Sequence, residues 1–231
     1  VFAPVMVLLT ALFAAIAVLL VAVASPRRVA RLTGVPWART LARLIPMRVR
    51  VEGREHLDPR RSYVLVSNHQ SQSDVLVLYG WLGVDFKWVM KQELRRVPGI
   101  GVACDRLGHI FIDRSDHAAA VATLAAAREK IVDGTSVIFF PEGTRSRDGR
   151  LLPFKRGAFR MALDLGLPIL PLTVAGTRDV LPAGTADLLP GSVRLVIHPP
   201  VEVAGLEEGD CAALSEQVRE LIGRELTAGA R

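Results

Sequence analysis

Twenty consecutive residues, Val5 to Ala24, carry one polar side chain, that of Thr10. As a helix rising about 1.5 Å per residue, such a run covers roughly 30 Å, the thickness of a bilayer core. Ser25-Pro26 closes it, and Arg27, Arg28, Arg31, Arg39, Arg43, Arg48 and Arg50 follow. An apolar helix followed by arginines predicts attachment to the cell membrane, with the rest of the chain on its cytoplasmic face. Ala22-Val23-Ala24 resembles a signal-peptidase site, but the run is longer than the apolar part of a usual signal peptide. Burial as a core helix is the other competing reading. Spanning the bilayer and dipping into one leaflet stay open. Within the Arg-rich segment 27–46, Pro36 to Ile45 reads as a short amphipathic helix. Trp37, Leu41, Leu44 and Ile45 share one face, with Arg39 and Arg43 opposite. That helix suits the headgroup layer and a seat on its own domain equally well. The expected division is therefore 1–47, membrane-anchoring helices, and 48–231, a folded domain.

The charge distribution decides what the basic character means. The chain has 231 residues and a formal net charge of +6. Its first fifty residues hold seven Arg and no Lys, Asp or Glu; the rest hold 22 basic and 23 acidic residues, a net of −1. The basic excess thus sits beside the apolar run, where anionic lipid is the expected partner. Nucleic acid is disfavoured, also because only 6% of residues are aromatic. Two cysteines, Cys104 and Cys211, stand in no ligand spacing. That argues against a disulfide scaffold, a zinc site or an iron–sulfur cluster, and no metal is expected.

From about residue 48, short apolar runs alternate with helical stretches. Strands are expected at 49–51, 63–67, 86–90, 110–112, 137–140, 169–174 and 193–197. Helices are expected at 74–82, 116–132, 157–165 and 211–226. The 116–132 helix has Ser115 or Asp116 as its cap and Gly134 beyond its end. The alternation predicts an α/β fold, a central and mostly parallel sheet flanked by helices. The segment 179–190 reads as a loop.

Three of these strands end in polar clusters: Asn68-His69, Asp113-Arg114, and Pro141-Glu142-Gly143-Thr144-Arg145. In open α/β sheets, sites form where carboxyl ends of strands meet, so one shared site is expected. A histidine at a strand end suits general-base work near neutral pH, and a carboxylate partner fixes its tautomer. His69 and Asp74 are five residues apart, about 140° around a single helix, so they would face each other poorly there. With His69 in the loop and Asp74 in the first helical turn, they would meet. In the third cluster Gly143 lets the backbone approach a ligand, and Arg145 offers a planar fork for phosphate. Lys91 and Lys155-Arg156 would enlarge a basic pocket.

Together these residues resemble the glycerolipid acyltransferases, in particular the 1-acyl-sn-glycerol-3-phosphate (lysophosphatidic acid) acyltransferases. Asn68-His69-x4-Asp74 matches the family's HxxxxD block. Gly108-His-Ile-Phe-Ile-Asp-Arg114, Phe140-Pro-Glu-Gly-Thr-Arg-Ser146 and Leu167-Pro-Ile-Leu-Pro171 match the next three, in order. The resemblance covers roughly residues 48–200 and implies the following expectations. His69 is the general base for the sn-2 hydroxyl of lysophosphatidic acid, and Asp74 orients it. Asn68, Lys91, Arg114, Glu142, Gly143, Thr144, Arg145 and Lys155 form the substrate site. Within it Arg145, Arg114 and Lys91 hold the phosphate. Leu167, Pro168 and Pro171 pack under the site or line an acyl channel. No cofactor is needed; acyl-CoA or acyl-carrier protein is the co-substrate, and phosphatidic acid is the product. A related O-acyltransferase with another acceptor, such as glycerol 3-phosphate, fits the same blocks. A non-catalytic anionic-lipid-binding module would have no need of His69 and Asp74. A hydrolase is disfavoured because no Gly-x-Ser-x-Gly elbow occurs.

Overall fold

The computed structural model describes residues 2–228 except 46, 114, 147, 183 and 186, and the backbone alone for 2, 3, 117 and 228. Its strands are β1 (Met47–Glu52), β2 (Val64–Ser67), β3 (Asp85–Lys91), β4 (Ile110–Ile112), β5 (Thr135–Phe139), β6 (Ile169–Ala175) and β7 (Gly191–Ile197). All seven fall where the apolar runs place them. They form one sheet in the order β1-β7-β6-β2-β5-β3-β4. Every pairing is parallel except β6 with β7. The expected α/β architecture with a mostly parallel sheet is thus what the chain adopts. β2 and β5 lie at its centre, buried at every residue. Strands covered on both faces need apolar residues on both, which is why Val64-Leu-Val and Val137-Ile-Phe read as continuous runs. β1 lies at one edge and alternates instead, with Arg48, Arg50 and Glu52 exposed.

Two cores flank the sheet. One packs Leu65, Ile138, Leu170 and Leu172 against α3 (Val35–Leu44) and α4 (Ser73–Trp81). The other packs Val64, Val66, Val137 and Phe139 against α7 (Gly157–Leu165) and α9 (Cys211–Ala228). The helix expected over 116–132 is α6 (His117–Ala126), capped by Asp116, whose Oδ1 accepts from the Ala119 amide at 3.0 Å. It tightens into a 3-10 turn, Ala127–Lys130, and the chain reverses at Asp133 and Gly134, both with positive φ. Two short helices lie outside the expected set: α5 (Ile100–Arg106) and α8 (Thr177–Val180), the latter running two residues into the stretch expected to be a loop.

At the N-terminus α1 spans Phe2–Leu20 and stops four residues before the apolar run does. Among the described residues, no helix is long and apolar enough to cross a membrane. One side of α1 lies on the domain: Ala14 and Ala17 are buried, and Met6 and Leu9 pack on the core. Val7, Leu8, Leu12 and Leu19 on its other side are exposed. Thr10, the one polar residue of the run, donates to the Met6 carbonyl at 2.7 Å. It also accepts the Trp37 indole N–H at 3.0 Å, which joins α1 to α3. α2 (Pro26–Val29) continues through a π-helical turn, Ala30–Gly34, into α3. Gly34 permits a close approach there, since a Cβ would lie 2.7 Å from the Tyr79 ring. The amphipathic helix expected at 36–45 is thus present, with Leu41 and Ala42 in the core.

Candidate active site

Because β2, β5, β3 and β4 are adjacent and parallel, their carboxyl ends converge on one edge of the sheet. β2 leads into a loop carrying Asn68 and His69, and α4 then places Asp74 in its first turn. His69 Nδ1 lies 2.8 Å from Asp74 Oδ2. The loop, not a shared helix, brings the two together. Oδ2 also accepts the backbone N–H of Gln70 at 2.7 Å and of Ser71 at 2.9 Å. Thr177 donates its hydroxyl to Oδ1. Asp74 is fully buried, whereas His69 is partly open. With Nδ1–H donated to the carboxylate, the imidazole presents the lone pair of Nε2, as a base requires.

The loop is held by its neighbours. The Asn68 amide donates to the Val174 carbonyl and accepts the Val174 N–H, both at 2.8 Å, which locks the loop to β6. Asn68 is buried by this clasp and does not line the cavity described below. After β5, Phe140 lays its ring on the His69 imidazole, with centroids 4.0 Å apart and planes 11° from parallel. Glu142 accepts the His69 N–H at 2.7 Å and the Leu152 N–H at 2.9 Å. Burial pushes its carboxyl above the usual range, and those two amides partly offset the rise. Both oxygens of Glu142 therefore hold main chain beneath the site. The Ser146 N–H closes the clasp on the His69 carbonyl at 2.9 Å.

Gly143 has φ +72, a conformation that disfavours any Cβ. Gly143, Thr144, Arg145 and Lys91 stand with His69 on the wall of one cavity. Lys155 is exposed and runs alongside Gly143, outside the cavity lining. Arg114 lies outside the described residues. The cavity has a volume of about 700 Å³. Away from His69 its walls turn apolar, with Met6 and Phe13 of α1, Trp37 of α3, Leu76 of α4, Trp88 of β3 and Leu107 after α5. A polar mouth with two cations and an apolar interior suit a lipid with an anionic head. Leu167, Pro168 and Pro171 line none of it. Pro168 and Pro171 are buried, and their carbonyls accept from Val64 and His198, each at 3.0 Å. These residues hold β6 in place, and the apolar walls come from α1, α4 and α5 instead.

His109, in the second block, is structural in its geometry. Its Nδ1 accepts the Trp88 N–H at 3.3 Å, so Nε2 carries the proton donated to Tyr79 Oη at 2.7 Å. Burial first, then the charge of Lys87, pushes its pKa down to about 3. Sequence reasoning passed over Thr177 and the stacking role of Phe140. Thr177 follows Gly176 beyond the last of the four blocks, and Phe140 reads as the end of a strand. Among the described residues, no group of three or more His, Cys, Asp or Glu could hold a metal ion.

The sheet, the histidine–carboxylate pair at its strand ends and the adjoining apolar cavity define an α/β protein whose imidazole opens onto an apolar cavity with a cationic mouth. The acyltransferase family model matches residues 48–175, and the chain belongs to that family. It is 43% identical over 139 residues to the chloroplastic 1-acyl-sn-glycerol-3-phosphate acyltransferase BAT2 of Brassica napus, covering 60% of this chain and 40% of that protein. It is 35% identical over 192 residues to the 1-acyl-sn-glycerol-3-phosphate acyltransferase alpha of Ovis aries, covering 81% of this chain and 67% of that one. The chain thus spans less than half the length of the Brassica relative. Among solved structures, the 1-acyl-sn-glycerophosphate acyltransferase PlsC of Thermotoga maritima superposes with a TM-score of 0.77 at 29% identity, over 100% of this chain and 99% of that one.

Proposed function

We propose that the chain transfers a fatty acyl group from an acyl thioester to the sn-2 hydroxyl of lysophosphatidic acid, giving phosphatidic acid for phospholipid synthesis. The observation that carries this is the His69–Asp74 pair at the mouth of an apolar cavity flanked by Lys91 and Arg145. The named relatives point the same way.

In this mechanism His69 Nε2 takes the proton of the sn-2 hydroxyl as its oxygen attacks the thioester carbonyl carbon. Asp74 holds Nδ1–H and stabilises the imidazolium. The tetrahedral intermediate collapses, the C–S bond breaks, and the departing sulfur takes the proton back from His69. No acyl-enzyme forms. Arg145 and Lys91, with Arg114, hold the phosphate; Thr144 adds a hydroxyl donor and Lys155 a further cation nearby. Asn68 and Glu142 act through His69, as positioning residues. The donor is acyl-CoA or acyl-carrier protein.

The exposed apolar side of α1 supports seating in a bilayer, where the lysolipid resides. Arg27, Arg28 and Arg31 are exposed just beyond it, as contact with anionic headgroups requires. In this reading the enzyme sits on the cytoplasmic face of the cell membrane, with the helices of 1–47 as its attachment.

Free-thiol release from palmitoyl-CoA and from palmitoylated acyl-carrier protein tests the reading, with lysophosphatidic acid, glycerol 3-phosphate or no acceptor. Release that requires lysophosphatidic acid and disappears in His69→Ala is the expected result. Release with glycerol 3-phosphate alone would transfer the assignment to a sibling acyltransferase. No release with either donor would leave a lipid-binding module.

A further inference from the structure

We propose that the connection between β3 and β4, from Gln92 to Arg106, is a second membrane contact, a preformed wedge that enters an anionic leaflet beside α1. It rests on the reading above, in which the acceptor is a bilayer lipid.

Four large apolar side chains stand exposed within nine residues: Leu94 at 43%, Val97 at 36%, Ile100 at 36% and Val102 at 51%. Isolated exposed apolar residues are ordinary, but a cluster on one short segment marks a contact surface. The segment is already folded. The Val97 N–H donates to the Leu94 carbonyl, Gly101 to Val97, and Ala103 to Gly99, at 3.2, 2.9 and 3.0 Å. A Cβ on Gly101 would lie 2.0 Å from the Arg95 carbonyl oxygen, so the 3-10 turn Gln92–Arg96 and α5 are pressed together. Their exposed apolar groups are therefore held outward by a fixed backbone.

The charges beside them fit lipid headgroups. Arg95, Arg96 and Arg106 stand with two acids on this segment, Glu93 and Asp105. Arg95 pairs with Asp105 at 2.8 Å. Among the described residues, Arg96 and Arg106 have no carboxylate within ion-pair distance, and both are exposed. Apolar groups to enter the acyl layer, ringed by spare cations, match an anionic leaflet.

The position supports the same occupant. α5 packs on α1, and Leu107 beyond it is buried with Ala17 and Val29. The cavity lies between them, and Leu94 and Ile100 are at once exposed and part of its lining. A lysolipid tail would pass from the leaflet into the cavity between two apolar contacts.

The test compares the full chain with Val97→Glu/Val102→Glu and with a control, Val121→Glu, on α6 across the sheet. Neither Val97 nor Val102 lines the cavity. On vesicles of phosphatidylcholine and phosphatidylglycerol, the double variant should partition about ten-fold less or weaker still. Its KM for vesicle-borne lysophosphatidic acid should rise in step, with turnover of a monodisperse short-chain lysophosphatidic acid unchanged. The control should match the parent. Undiminished partitioning overturns the proposal, as does a dimer in solution that the double variant splits. If the double variant also loses turnover on the monodisperse substrate, amide hydrogen exchange on the parent chain decides. Protection of residues 97–103 on adding vesicles supports the wedge; its absence overturns it. Weakened partitioning with no acyl transfer by the parent chain would uphold the wedge and remove the proposed reaction.

Discussion

Thr177 donates its hydroxyl to Oδ1 of Asp74, the carboxylate oxygen that His69 leaves free. It reaches in from α8, more than a hundred residues further along the chain, and is fully buried. Asp74 is thereby held by His69, by two loop amides and by a group beyond β6. Thr177→Val keeps the shape and removes the donor, leaving a buried acceptor unpaired at a cost of about 1–3 kcal/mol. The expected result is a fall in kcat of roughly ten- to a hundred-fold, in line with that range, with KM for lysophosphatidic acid little changed. Thr177→Ser should restore most of it. Steady-state kinetics on the three proteins check this.

Asp74→Asn tests the tautomer argument. An amide can offer only one acceptor oxygen where the carboxylate receives from His69 Nδ1, Gln70 N and Ser71 N on one side and Thr177 on the other. The imidazole then loses the partner that fixes Nδ1–H and stabilises its cation. A drop in kcat of the order of 10⁴ is expected, with the fold intact by circular dichroism. Activity within ten-fold of the parent would sink the dyad mechanism.

Arg145 should act on the acceptor alone. Arg145→Ala is expected to raise KM for lysophosphatidic acid about ten-fold or more, through the loss of a charge-assisted contact of about 1.5–3 kcal/mol. KM for the acyl thioester should stay put. Arg145→Lys should recover only part of the loss, because an ammonium cannot reproduce the two-pronged fork. Equal effects on both substrates would remove Arg145 from the phosphate site.

His109 should shape stability in acid. Its pKa is pushed down to about 3 in the folded chain, mainly by burial, below the ordinary 6.5. Between those values the unfolded chain binds the extra proton, so stability is lost as pH falls through that window. One proton corresponds to a slope of up to about 1.4 kcal/mol per pH unit. Urea unfolding from pH 7 to 4 should show a shallower acid loss in His109→Gln, which keeps a donor for Tyr79. Parallel curves for the two proteins would refute this.

Much of the fold could be read directly from the chain. β2 and β5 announce themselves as strands because burial on both faces demands apolar runs, here 64–66 and 137–139. Their order does not announce itself. β5 inserts between β2 and β3, a pairing across some seventy residues that no local pattern encodes. α5 and α8 span seven and four residues, too few for a helical period to show. In the site, His69 and Asp74 are legible because their chemistry lies in their side chains. Asn68 and Glu142 have the residue types of ligand contacts, but their partners are backbone amides and a carbonyl, which a sequence does not display. The apolar stretch 5–24 reads as lipid-facing on all sides. One side of it instead faces the cavity, because lipid and an apolar cavity select the same side chains.

That double duty of α1 ties together two properties that evolution could otherwise adjust separately. Met6, Thr10, Phe13, Ala14 and Ala17 form a cavity wall, while Val7, Leu8, Leu12 and Leu19 point away from the domain. Both sets interleave along the same 19 residues. In the proposed bilayer seat, replacing the helix wholesale to suit a new membrane would redraw the space offered to a fatty tail. Adaptation must therefore proceed residue by residue, every third or fourth position answering to one environment and its neighbours to the other.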